Sequence, residues 1–263
     1  MWKSVNTVLN PEKKEQLLSG SLFQYICPHC GKSYNIDYPM LYHQMEDQIM
    51  IYYVVQEEDI QMVEEQFRGD FGSAESELTK VLKKDMDSYL YRIVGSQREL
   101  MEKIRIFDAG KDDRIVELVK RIISDAVADK NPDLRDANLY YLEEDGESLF
   151  VVVNSKGALG TVPIPEGMYE DMAEGVRDKL PDLRSRSEFR IDRAWLQRHW
   201  EWNSYYDLSH RPLSQTPLTS IPERPLFDVL SEKAEEIDAE TLCPEVSSSI
   251  SPRPSGRLEP NAG

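Results

Sequence analysis

Apolar residues recur along this chain with two periods, and the alternation between them sketches a mixed architecture. Residues 2–9 are β-prone with partial alternation. Asn10-Pro11 then opens a helix over 11–19 that Gly20 ends. Two short strand-like runs, 21–26 and 32–37, flank Cys27-Pro-His-Cys30-Gly31, and Pro39 holds Tyr38 extended. Residues 48–55 form an almost wholly apolar strand, predicted to be covered on both faces. Polar amphipathic helices follow at 57–67 and 73–84, joined at Gly69 and Gly72, and a short strand is predicted at 89–94. Ser96 and Glu99 fit a capping box, opening a helix to about Phe107 with Leu100, Ile104 and Phe107 on one face. Asp112 caps the next helix, whose apolar stripe is Ile115, Leu118, Val119, Ile122 and Ile123.

A linker at 132–136 leads to strands at 137–142 and 148–153, with Asp145-Gly146 as a hairpin turn. A third strand is predicted at 161–165, then helices at 169–180, ended by Pro181, and at 192–203, which carries Trp195, Trp200 and Trp202. From about Ser209 the pattern fades. Eight of the 15 prolines fall in 209–263, and 247–256 is rich in Ser and Pro, a composition that does not build a core. An acidic helix over about 226–242 is possible inside this tail. The fold class expected is α+β. A zinc-ribbon-like hairpin with helices occupies 1–130, a small α+β extension 131–205, and a disordered, flexible Pro/Ser-rich acidic tail 206–263.

Charge narrows the set of partners. The 263 residues hold 31 basic and 48 acidic side chains, a formal charge of −17, which repels nucleic acid and anionic membrane. Residues 1–35 differ, with four lysines against two glutamates, too weak a patch to reverse that inference. No apolar run approaches the roughly 20 residues that span a bilayer, and no signal peptide is evident. Three cysteines, one CxxC among them, do not suit a secreted disulfide scaffold. The expectation is a cytoplasmic protein with a protein partner.

The recognisable chemistry lies in Cys27 and Cys30. The CxxC spacing lets two thiolates meet one zinc ion, and Gly31 permits the positive φ such a turn often needs. Structural zinc takes four ligands, so the pair is half of a site. His43, 13 residues further on, is the nearest other candidate, although a satisfied histidine beside Tyr42 is the better reading. His29 is expected to point outward.

Further residues carry a family resemblance. Leu18-Ser-Gly-Ser-Leu-Phe23, Cys27-Pro-His-Cys30-Gly31 and Ile36-Asp-Tyr-Pro-Met-Leu-Tyr-His43 resemble the CpXC domain of bacterial proteins, a functionally uncharacterised family. Arg92-Ile-Val-Gly-Ser96, Glu99-Leu-Met-Glu-Lys-Ile104 and Phe107-Asp-Ala-Gly-Lys-Asp-Asp-Arg114 are similar to the later part of those proteins, so the resemblance covers about 2–125. It implies two Cys-Pro-x-Cys motifs that together make one zinc site. This sequence shows only the second, and is expected to be N-terminally truncated relative to the family.

The functional reading is a zinc-ribbon-type interaction or structural protein in which Zn2+ holds the fold, since a closed thiolate site leaves no open position for chemistry. Two alternatives remain. One is a metal- or carboxylate-dependent enzyme with a cleft between the two halves, using Asp112 and Asp113, although helix capping explains the same residues. The other is a CxxC redox dithiol, although Gly31 and a strand follow the motif where an apolar helix would be needed. No phosphate-binding glycine loop, metalloprotease H-E-x-x-H or nucleophile elbow is present, so no catalytic residue is assigned.

Overall fold

The computed structural model describes residues 3–68, 88–185 and 187–199, all within a compact unit, Met1–Lys233. The second helix at 73–84, Trp200, Trp202 and the tail at 206–263 lie outside the described residues. The fold is mixed α+β, with three sheets and six α-helices among the described residues.

The first sheet has the order β1-β4-β5-β6, built from β1 (Ser4–Asn6), β4 (Met40–Gln44), β5 (Ile49–Tyr53) and β6 (Leu90–Val94). β4 and β5 form an antiparallel pair, whereas β1 joins β4 and β6 joins β5 in parallel. The β5–β6 connection carries α2 (Ile60–Arg68), and the β1–β4 connection carries α1 (Pro11–Leu18) and a small ribbon, β2 (Gln24–Ile26) with β3 (Ser33–Asn35). Parallel neighbours need such crossovers because no tight turn can join them.

The strand predicted over 2–9 is confined to Ser4–Asn6. The Asn6 side chain accepts hydrogen bonds from the amides of Val8 and Leu9 and turns the chain toward α1. Pro11 begins α1 as expected, but the Asn10 side chain makes no cap bond. Strand β5 is covered on both faces as its composition implies. Ile49, Ile51 and Tyr53 enter a core with Leu17, Phe23, Leu100 and Ile104, while Met50 and Tyr52 pack against a smaller cluster of Val63, Phe67, Tyr91 and Phe189.

Two helices follow at the positions their caps predict. In α3 (Gln97–Asp108) the Ser96 side chain accepts from the Glu99 amide, while the Glu99 carboxylate accepts from the Gly95 amide, one residue before the cap. In α4 (Asp113–Lys130) the Asp112 side chain accepts from the Arg114 amide. The meander β7 (Asn138–Glu144), β8 (Glu147–Asn154) and β9 (Gly157–Pro163) forms the third sheet. Its first turn is Asp145-Gly146, with φ of 53° and 84°, the left-handed pair that a two-residue hairpin requires. The helices α5 (Met168–Val176) and α6 (Arg193–Arg198) complete the described fold, α6 capped by Asp192 onto the Trp195 amide.

Strand β8 sits where the two larger cores meet. Phe150 and Val152 pack with Ile115, Leu118, Val119, Met172 and Trp195. The alternate residues, Val151 and Val153, pack with the core beneath the first sheet. The period of two along a strand sends successive side chains to opposite faces, so one apolar run serves both. At the far edge, the Ile93 amide donates to the Phe189 carbonyl, so the 187–191 segment covers part of β6. Arg184 donates to the carbonyls of Asp47, Gln48 and Ser88 and ties that returning segment to the ends of β4, β5 and β6.

Candidate functional site

Cys27 and Cys30 lie on the turn between β2 and β3. The Cys27 amide donates to the Lys32 carbonyl at 2.8 Å, extending the ribbon by one rung, and the Gly31 amide donates to the Cys27 carbonyl at 2.9 Å. Gly31 has φ of 69° and open space where a Cβ would stand, so its glycine serves the backbone conformation and not a close approach. Cys27 is buried and Cys30 exposed, and neither is in a disulfide. The two cysteines thus flank the tight turn of a two-stranded antiparallel ribbon. Among the described residues no group of three or more His, Cys, Asp or Glu side chains is placed to hold a metal ion.

His43 is on β4, where its Nε2 lies 3.0 Å from the Tyr89 hydroxyl and its Nδ1 3.4 Å from the Asn6 side-chain nitrogen Nδ2. Its ring also packs on Tyr89, with centroids 5.4 Å apart. This is the satisfied histidine that the sequence favoured.

The two aspartates part company. Asp112 is the α4 cap and is gripped by its own Arg114 guanidinium at 2.7 Å. Asp113 turns inward, fully buried, into a network of six charged side chains. The Arg92 guanidinium on β6 takes both its oxygens, at 2.7 and 2.8 Å, and Lys103 Nζ on α3 lies 2.9 Å away. Lys103 also donates to the Ile191 carbonyl at 2.7 Å. One turn along α4, Glu117 lies 3.8 Å from Lys103 and 2.8 Å from Lys120, and Lys120 reaches Glu102 at 2.8 Å. Glu102 in turn accepts the Tyr141 amide at 2.7 Å.

Three cations face three carboxylates, so the network is neutral when every group is ionised. Burial alone would push the Asp113 carboxyl up, but Arg92 and Lys103 outweigh it and hold that carboxyl well below the ordinary range. Burial likewise opposes a charged Lys120, yet Glu102 and Glu117 raise it well above the usual lysine value. Glu102 goes the other way. Desolvation raises its pKa, with Lys120 offsetting only part of the effect. The outer end of the network opens on a cavity of about 120 Å³ between α3, α4, β7 and the segment that starts α6.

Residues 1–120 match the family model described as CpXC protein. The chain is a CpXC domain-containing protein. No curated protein and no solved structure matches it. The matched span carries the Cys27–Cys30 turn and all six members of the buried network, from Arg92 to Lys120. Asp113 thus enters the CpXC domain as a structural anion with three donors on it.

Lys103 and Glu102 were not singled out by the sequence reasoning, although a signal existed. Lys103 stands three residues after Leu100 and four before Phe107, on the apolar face of α3 that those two share. In α4, Asp113, Glu117, Lys120 and Ser124 form a narrow polar stripe beside six apolar residues on a wide arc, Ile115 to Ile123. A charge inside an apolar stripe, matched by a thin polar stripe on the next helix, marks paired burial.

Proposed function

We propose that this chain is a structural or interaction protein in which Cys27 and Cys30 give two thiolates to a zinc ion that fixes the β2–β3 turn and performs no chemistry of its own. The observation that carries this reading is the turn itself. Two cysteines at CxxC spacing sit on a tight loop closed by the Gly31-to-Cys27 hydrogen bond, with Gly31 left-handed. A structural zinc ion takes two further ligands besides these thiolates. The partner is a protein in the cytoplasm, as the net charge of −17 disfavours nucleic acid and anionic membrane. A redox dithiol has less support, since β3 follows Cys30 where a thiolate-stabilising helix would be needed. A carboxylate enzyme built on Asp112 and Asp113 has less support because one is a helix cap and the other is saturated by Arg92 and Lys103.

The test is metal analysis of the purified chain by mass spectrometry, alongside Cys27→Ser/Cys30→Ser. The reading requires zinc in the parent protein, its loss in the double variant, and a lower melting temperature on chelation of the parent alone. Equal zinc in both proteins, or none in either after zinc supplementation, overturns it.

A further inference from the structure

We propose that the cavity between α3, α4, β7 and the 191–196 segment binds a small zwitterion of amino-acid size with an aliphatic side chain. Four observations converge on that chemistry. The first is the anionic floor. Glu102 and Glu117 both spend Oε1 on Lys120; every hydrogen bond that either accepts among the described residues falls on Oε1, and so does the shortest contact of each ion pair. Neither Oε2 is sealed away, since the buried side-chain atom lacking a partner among the described residues is Asn35 Oδ1. Two carboxylate oxygens are thus left for a cation entering the cavity.

The second is the cationic side. An ammonium carries three donors, and Lys120 Nζ spends two on Glu102 and Glu117. Arg193 lines the same cavity at the first position of α6, is exposed, and makes no ion pair or hydrogen bond among the described residues. An unpaired guanidinium lining the same cavity as an ammonium with one donor left suits a carboxylate, which guanidinium binds in a two-pronged geometry.

The third is the wall. Val94, Ala137, Leu139 and Leu196 line the cavity, giving an apolar surface next to the charged floor. The fourth is size. A space of about 120 Å³ holds several waters or one small molecule, and excludes a large aromatic side chain. A ligand with an ammonium on Glu102 and Glu117, a carboxylate on Arg193 and Lys120, and a short aliphatic group on the wall satisfies all four. A simple anion would leave the two carboxylate oxygens facing it, and a simple cation would leave Arg193 without a use.

The experiment is isothermal titration of the whole chain at neutral pH with L-valine, N-acetyl-L-valine, L-valinamide and L-tryptophan. L-Valine gives saturable binding. Each blocked form, which lacks one charge, binds at least about tenfold more weakly, the effect of one lost charge-assisted hydrogen bond. L-Tryptophan gives no saturable binding. Lys120→Met also breaks the buried network, so the deciding variant is Arg193→Ala, an exposed position whose loss leaves the unliganded melting temperature unchanged. It weakens L-valine several-fold. The proposal is overturned by no saturable L-valine binding to about 10 mM, by N-acetyl-L-valine or L-valinamide binding as tightly as L-valine, or by Arg193→Ala leaving its affinity unaltered.

Discussion

Replacing Asp113 by asparagine tests how the charged network supports the fold. The substitution keeps size and removes one negative charge at a fully buried site. Arg92 and Lys103, each about 2–3% exposed at the side chain, then lose the carboxylate that contacts them at 2.7 to 2.9 Å. Glu117 at 3.8 Å from Lys103 is the nearest remaining anion. Breaking one partner of a buried pair costs about 3–5 kcal/mol, mostly as uncompensated charge. For a chain of this size about 1 kcal/mol moves the midpoint by about 2–4 °C, so the expected drop is about 6–20 °C. Asp112→Ala is the control one residue away, where loss of a helix cap costs about 1 kcal/mol. Both are measured by urea and thermal unfolding followed by circular dichroism. The depressed carboxyl pKa of Asp113 adds a pH signature. Its contribution is present above the unfolded value of about 3.9 and is lost only as pH falls through the lower folded value, so the difference between parent and Asp113→Asn stays flat from pH 5 to 8. A loss no larger than that of Asp112→Ala, or one that vanishes between pH 5 and 8, refutes the argument.

Glu102 has the opposite sign. Its pKa is raised in the fold, so its favourable contribution is present below about pH 4.3 and fades as pH rises toward its folded value. Glu102→Gln is therefore expected to cost less than Asp113→Asn at neutral pH and to flatten the decline of stability above pH 4.3, read from unfolding midpoints across pH. Gly146→Ala places a Cβ at φ of 84° with no neighbour within 4 Å, so strain alone acts. About 1 kcal/mol is expected from matched urea curves, and no loss would mean that the turn adopts another type in the variant.

Local signals in the sequence predicted most of the elements. Ser96, Asp112 and Asp192 cap the helices that their positions imply, and Asp145-Gly146 makes its hairpin, because each of these depends on residues within a turn of one another. Pairing across the chain was not legible. The parallel registers of Val5 with Tyr42 and of Ile51 with Arg92 join strands separated by whole crossovers, and nothing in either segment names its partner. The same limit hid the network. Arg92, Lys103 and Asp113 come from a strand, a helix and a helix start, and each alone reads as a solvated charge. The Cys27–Cys30 turn was visible because both thiols and the glycine belong to one short loop.

Strand β8 also bears on how the molecule opens. Successive backbone amides in its middle bond to β7 and β9 in turn, so freeing adjacent ones separates the strand from both, and that separation bares Phe150 and Val152 on one side and Val151 and Val153 on the other. No partial opening can release one side and spare the second. The slowest-exchanging hydrogens should therefore report the same opening free energy in Val151 and Val152 as in Ile104 and Ile122, which stand on different helices in different cores. One strand shared by two interiors makes them a single cooperative unit, and a ligand that tightens either interior will slow exchange in both.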